Sequence, residues 1–163
     1  MSLSQLSRSI DGLVAVVTGA GSGMGAATAK LFADQGAKVA ALDINTAGVA
    51  GVVHEISTAG KTAKAWTIDL SDGEAIRQVI EDIAAHFGGI DLLINNAGIS
   101  IPAPIDGDAY ESAWDKSLSV LLTAQHRTIR AALPHLRQSS NPRIVNIAST
   151  EAVSYTHLRT HET

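Results

Sequence analysis

Four glycines stand at alternate positions, Gly19, Gly21, Gly23 and Gly25, just after the apolar run Leu13-Val14-Ala15-Val16-Val17. With Thr18 ahead of them and Ser22 and Met24 among them, they spell Thr-Gly-x-x-x-Gly-x-Gly. A β-type run, a glycine-dense turn and a small-residue helix start, in that order, suit a nucleotide pyrophosphate. Backbone N–H groups converge there on an anion, and the helix dipole favours negative charge. Side chains at those glycines would hold a phosphate off the backbone, and at some of them would strain φ. The strict pattern G-x-G-x-x-G is not met, because position 24 is methionine. A flexible glycine linker is the plain alternative, but linkers are not flanked by a buried strand and an amphipathic helix.

Two aspartates continue the series. Asp43 follows Gly25 by 18 residues at the end of a second apolar run, near the spacing at which a carboxylate reaches the adenosine ribose hydroxyls. There it would accept from the 2′- and 3′-OH and repel a 2′-phosphate, which selects NAD over NADP. A turn aspartate at a strand end is the competing account. Asp69 ends a third run, where it could accept from an adenine amino group or cap the next helix. Ile44 and Leu70, the residues after these two carboxylates, are assigned to the cofactor with them. Asn95-Asn96-Ala97-Gly98 ends a fourth run and puts amides beside a glycine where backbone can approach a cofactor, although alone it reads equally as a turn.

The elements that must position these residues alternate in kind. After the first strand, a helix is expected over Met24–Ala37, with Leu31 and Phe32 facing inward and Gly36 as its stop. Lys38–Asp43 reads as a strand, Thr46–Thr58 as a helix with Val49, Val52, Val53 and Ile56 at helical spacing, and Ala63–Asp69 as a third strand. Asp72 caps a helix whose Ile76, Val79, Ile80 and Ile83 share a face, and Gly88-Gly89 stops it. Asp91–Asn95 is continuous and apolar enough for a buried parallel strand. A loop with two prolines then leads to a long helix over Tyr110–Arg137, kinked or ended early by Pro134, and to a fifth strand over Arg143–Ser149. The alternation predicts one α/β domain with a doubly wound parallel sheet of the Rossmann type and right-handed crossovers.

Bulk properties narrow the partners. Twelve basic against sixteen acidic residues leave a net charge of −4, which argues against nucleic acid and anionic membranes. The absence of cysteine excludes disulfide and thiolate chemistry and fits a cytoplasmic protein. No run approaches the roughly 18 apolar residues of a membrane span.

Taken together, these segments resemble the short-chain dehydrogenase/reductase family over roughly residues 10 to 152. The carrying residues are Thr18-Gly19-x-x-x-Gly23-x-Gly25, Asp43, Asp69, Asn95-Asn96-Ala97-Gly98 and Arg143-Ile144-Val145-Asn146-Ile147-Ala148-Ser149, in order and at family-like spacing. The resemblance implies an NAD(P)-dependent oxidoreductase acting on an alcohol or ketone, which Asp43 narrows to NAD, with Ser149 as the catalytic serine. It also implies a homodimer or homotetramer formed through Tyr110–Arg137, where the apolar Leu118, Leu122 and Ile129 are left to either interface or core. The apolar loop Ile99–Ile105 is a faint hint of a hydrophobic substrate.

The chain departs from the family twice. Leu121 stands in Val120-Leu121-Leu122 where the family places an asparagine that feeds a proton relay; either the relay is dispensable or Ser119 or Gln125 substitutes. The family's Tyr-x-x-x-Lys, about a dozen residues after the serine, is missing. Tyr155-Thr156-His157-Leu158-Arg159 lies only six residues after Ser149, and arginine is not equivalent to lysine in that role. Residues 153–163 resemble the in-frame translation of a sequencing adapter rather than family sequence. The expectation is therefore a truncated family member over 1–152, about five of seven strands, with a non-native tail. His157 and His161 are not read as metal ligands, since no third ligand is evident.

An uncovered edge strand is expected to leave the fragment poorly folded, with weak NAD binding and no turnover. A non-catalytic dinucleotide-binding module is the alternative from another class. An S-adenosylmethionine-dependent methyltransferase shares the glycine turn and the acid after strand two, but not the Asn-Asn-Ala-Gly segment.

Overall fold

The computed structural model describes residues 8–149. Five parallel strands form one sheet in the order β3-β2-β1-β4-β5. They are β1 (Val14–Thr18), β2 (Lys38–Asp43), β3 (Ala63–Thr67), β4 (Leu92–Asn95) and β5 (Arg143–Asn146). Between them run α1 (Gly23–Asp34), α2 (Thr46–Thr58), α3 (Gly73–Phe87) and the consecutive α4 (Tyr110–Leu118) and α5 (Ala124–Leu136). The strand order reverses direction at β1, so β1 and β4 flank the crevice where ligands settle in open parallel sheets.

Strand alternation sorts the core onto two faces. Val14, Val16, Ala40, Leu42 and Leu93 pack with α3 and α5, through Ile76, Ile80, Ile83, Ala132 and Leu136. Val17, Val39, Ala41 and Ile94 pack with α1 and α2, through Ala29, Ala33, Val49, Val52 and Ile56. All five residues of β1 are buried, as befits a central strand covered on both sides.

Several boundaries differ from the sequence reading. Helix α1 ends at Asp34, and its inner face is Gly25, Ala26, Ala29 and Ala33. Leu31 is 57% exposed, because it lies roughly 200° round the helix from Ala29 and the sheet side is occupied by small residues that let the backbones approach. Phe32 is half-buried, as expected. Strand β3 stops at Thr67, β4 starts at Leu92, and β5 stops at Asn146, although the Ile147 N–H still donates to the Asn95 carbonyl at 2.9 Å. Asp91 instead uses its carboxylate to accept from the Val14 N–H at 2.8 Å.

The long helix forms over the expected span but contains a π-helical turn, Ser119–Thr123, between α4 and α5. The helix runs through Pro134 and ends two residues later. Asp72 caps α3 by accepting from Glu74 and Ala75 N–H groups, and Gly88 closes it at φ 88°. Strand β5 is an edge strand, and Ile144 and Val145 on it are exposed. No helix among the described residues is long and apolar enough to cross a membrane. Tyr155, His157, Arg159, His161 and the rest of the 153–163 tail lie outside the described residues.

Candidate functional site: a cleft at the strand switch point

The C-terminal ends of β1 and β4 open into a cleft of about 420 Å³. From the turn after β1 it is lined by Gly19, Ser22, Gly23, Met24 and Gly25. Asp43 and Ile44 come from the end of β2, Asp69 and Leu70 from the turn after β3, and Asn96, Ala97 and Gly98 from the turn after β4. The four strand ends therefore bring together residues that the sequence spreads over eighty positions.

The glycines serve different ends. A Cβ on Gly25 would sit 2.0 Å from the Gly19 carbonyl oxygen and 2.5 Å from Asn96 Nδ2, so this position is reserved for the close approach of α1 to the strand ends. Gly19 adopts φ 66° and would meet the Ala97 backbone at 2.8 Å. Gly23 adopts φ 50°, and a Cβ there meets nothing within 4 Å. It faces open space where backbone can be approached from the cleft. Ser22, the N-cap of α1, makes no side-chain capping bond, so the first N–H groups of the helix are left without a side-chain acceptor. This is the cradle an anionic diphosphate needs, and the residues present fit it.

Two predicted residues act from behind the cleft wall. Thr18 is 1% exposed; its hydroxyl donates to the Ile94 carbonyl at 3.3 Å and accepts from Asn96 and Ala97 N–H groups at 2.9 and 3.0 Å. It locks the β4 turn to the β1 turn. Gly21 uses its N–H to donate to Asp43 Oδ2 at 2.8 Å, and a side chain there would strike that carboxylate at 2.9 Å. Asn96 lines the cleft, yet its side-chain amide donates to the Thr18 carbonyl at 2.9 Å and holds the wall together. Asn95 is buried behind it, donating to Asn146 Oδ1 and accepting from the Thr128 hydroxyl.

The two carboxylates are anchored differently. Asp43 accepts from Gly21 N–H with Oδ2 and from Asn45 N–H at 2.8 Å with Oδ1. Asp69 Oδ1 accepts from both the N–H and the hydroxyl of Ser71, at 2.8 and 2.7 Å, while Oδ2 faces Lys116 Nζ at 3.3 Å. The Ser71 N–H, the Ser71 hydroxyl and then Lys116 hold the Asp69 carboxyl below its ordinary value, against a smaller upward push from burial.

Ile68, Ile99, Lys116 and Val120 also line the cleft. Ile99 and Val120 stand in segments the sequence marked for other reasons, but nothing local in the sequence singles out Lys116. Leu121 does not line the cleft; it is half-exposed, and its Cδ2 lies 3.5 Å from where a Gly98 Cβ would be. The Ser119 hydroxyl donates to the Lys116 carbonyl at 2.7 Å. Ser149 is exposed, three residues beyond β5 at the same end of the sheet as the cleft, and is not among the lining residues.

Known proteins share this fold. The short chain dehydrogenase family model matches residues 13–160. The chain belongs to the short-chain dehydrogenase/reductase family. It is 41% identical over 140 residues to the 2,5-dichloro-2,5-cyclohexadiene-1,4-diol dehydrogenase of Sphingobium indicum, covering 86% of this chain and 56% of the relative. It is 33% identical over 143 residues to the D-threitol dehydrogenase of Mycolicibacterium smegmatis, covering 88% and 55%. The chain thus spans a little over half the length of these curated relatives. A short chain dehydrogenase from Burkholderia cenocepacia, solved in complex with NADP, superposes with a TM-score of 0.83 at 35% identity, over 90% of this chain and 59% of that one. A metagenomic short-chain oxidoreductase, also in complex with NADP, gives 0.79 at 35% identity over 87% and 64%. Neither of these structures supports the expected preference for NAD.

Proposed function

We propose that the cleft binds a nicotinamide dinucleotide, NAD in preference to NADP, as the cofactor half of an oxidoreductase that interconverts a small alcohol and a ketone. The glycine cradle would take the diphosphate at Gly19, Ser22, Gly23 and Met24, with Asp43 and Ile44 at the adenosine ribose and Asp69 and Leu70 at the adenine. Asn96, Ala97 and Gly98 would face the nicotinamide ribose side. When bound, the cofactor supplies the hydride acceptor; the residues here bind it, orient it and fix its register against the strand ends.

One observation carries the choice of NAD. Asp43 presents a carboxylate to the cleft, and the single Lys or Arg among the lining residues, Lys116, is paired with Asp69 instead. A 2′-phosphate would meet an anion with no cation at that end. The two relatives solved with NADP stand against this choice, so the test is direct. Titration of the chain with NAD and with NADP, following tryptophan or nicotinamide fluorescence, is expected to give tighter binding of NAD; equal or tighter NADP binding refutes it.

The 163-residue chain is proposed to bind without turning over, the reaction belonging to a longer protein in which Ser149 works with a Tyr-x-x-x-Lys. Resequencing of the source DNA across the codons for Ile144 to Thr163 tests that directly, since a stop after Thr163 in the natural gene would remove the enzyme reading. The whole protein is proposed to be cytoplasmic and a homodimer or homotetramer. Trp114, Leu118 and Leu122 support the latter, being exposed at helical spacing along the long helix.

A further inference from the structure

Met24 stands between Gly23 and Gly25 in the first turn of α1, lines the cleft and is 59% exposed. The chain has no cysteine and two methionines, so Met24 carries the single sulfur among the described residues. Its flanking glycines bring no side chains to shield that sulfur, and a Cβ on Gly23 would meet nothing within 4 Å. In a helix the Cα–Cβ bond leans toward the N-terminus, which carries the thioether toward the anion cradle. The backbone beneath is held, since the Met24 carbonyl accepts from the Thr28 hydroxyl at 2.8 Å. Ser22 supplies no side-chain acceptor to the first N–H groups of the helix. An exposed, unbranched thioether therefore sits beside donors that await an acceptor.

We propose that Met24 is a peroxide-sensitive modification site whose oxidation closes the cradle to an anionic cofactor; the effect on the cofactor rests on the reading of the cleft as a dinucleotide site. The sulfur lone pair attacks one oxygen of a hydroperoxide. An S–O bond forms as the O–O bond breaks, and the proton of the transferred oxygen passes to the departing one, which leaves as water or an alcohol. Sulfur loses two electrons and the peroxide gains them, giving the sulfoxide. The side chain changes from apolar to polar, and its new oxygen bears partial negative charge. At the N-terminus of α1 that oxygen takes N–H groups a diphosphate needs and repels the diphosphate itself. A bound cofactor covers the sulfur and shields it. Methionine sulfoxide reductases reverse the change, so the site works as a switch.

The experiment treats the full chain with hydrogen peroxide, with and without NAD, and follows the gain of one oxygen on the Met24 peptide by mass spectrometry. NAD is then titrated into untreated, oxidised and reductase-repaired protein, for wild type, Met24→Leu and Met24→Gln, with thermal unfolding of each. Met24 is expected to oxidise within about threefold of the rate of free methionine, and more slowly under saturating NAD. Oxidation is expected to weaken NAD by about fivefold in the wild type, the worth of one competing hydrogen bond, and repair to restore it. Peroxide should leave the NAD affinity of Met24→Leu where it stood before treatment. Met24→Gln, polar from the outset, should bind about as weakly as the oxidised wild type. Oxidation more than about tenfold slower than free methionine overturns the proposal, as does an NAD affinity unchanged by full oxidation of Met24. An equal loss in peroxide-treated Met24→Leu also overturns it, since the damage then lies elsewhere. So does a loss that tracks a lowered unfolding temperature in both the oxidised protein and Met24→Gln, since the helix and not the site has then failed. If the untreated chain binds no NAD, the dinucleotide reading fails and the cofactor effect with it, while the oxidation rate of Met24 still decides the modification site.

Discussion

The backbone N–H of Gly21 donates to Asp43 Oδ2 at 2.8 Å, joining the turn after β1 to the end of β2 across the mouth of the cleft. The carboxylate proposed to face a ribose is thus also the acceptor that holds the glycine turn in shape. Binding and architecture share one side chain, and substitutions must be chosen to separate them.

Asp43→Ala removes both the charge and the acceptor for Gly21 and Asn45. NAD affinity is expected to fall about tenfold, and the preference over NADP to shrink with it. Asp43→Asn keeps an acceptor for one N–H while losing the charge. It should retain most of the thermal stability and still relax discrimination against NADP, as read from paired titrations.

Gly25→Ala places a methyl group 2.0 Å from the Gly19 carbonyl oxygen, a backbone atom that has no rotamer by which to move away. Overpacking of this kind costs about 3 kcal/mol. Denaturant unfolding should register that loss. Gly51→Ala, where an added Cβ meets nothing within 4 Å in α2, should be neutral or stabilising by up to about 1 kcal/mol.

Thr18→Val deletes the hydroxyl that satisfies the Asn96 and Ala97 N–H groups behind the cleft. Leaving such donors unpaired costs about 2–3 kcal/mol. Thr18→Ser restores the oxygen and should recover most of the stability, by the same denaturant measurement. A cofactor affinity that drops with Thr18→Val but returns with Thr18→Ser would mark the hydroxyl, and not the methyl, as what shapes the turn.

Asp69 gives a pH dependence of definite sign. Its carboxyl is held below its ordinary value by the Ser71 N–H, the Ser71 hydroxyl and Lys116. A depressed carboxyl contributes stability that is fully present above the unfolded value of about 4 and is lost as pH falls through the lower folded value. The stability difference between wild type and Asp69→Asn should therefore be constant near neutrality and shrink below about pH 4. A difference that grew with acidification would show that Asp69 is not an ionised acceptor in this turn.

Trp114 and Leu122 are 52% and 63% exposed on the long helix. In the whole protein proposed above, Leu122→Lys is expected to shift the proposed oligomer toward monomer in light scattering, at a few tenths of a kcal/mol in the folding of each subunit.

Much of this was legible in the chain itself, because it was written in local chemistry. The span of α2 and the buried face of α3 follow from helical periodicity, and the start of α3 from its cap at Asp72. The glycine turn, Asp43, Asp69 and Asn96 to Gly98 are marked by residue types that strand ends and anion sites require. The ends of β3 and β5 were not legible, since a strand stops where its neighbour stops pairing, and that is decided by another segment. Nor was the inward face of α1, where small alanines and not Leu31 meet the sheet because the backbones pack closely. The π-helical turn in the long helix carries no residue that announces it.

The sequence by itself determined the alternation of elements, and with it the class of fold and the residues delivered to the strand ends, because hydrophobic period and turn chemistry act over neighbouring residues. Only the tertiary structure decided which of those residues face the cleft and which brace it. Thr18 and Gly21 turned out to hold the wall, and Lys116 reached Asp69 from 47 positions away. Contacts between distant segments depend on how sheet and helices pack in three dimensions, and no spacing along the chain encodes that.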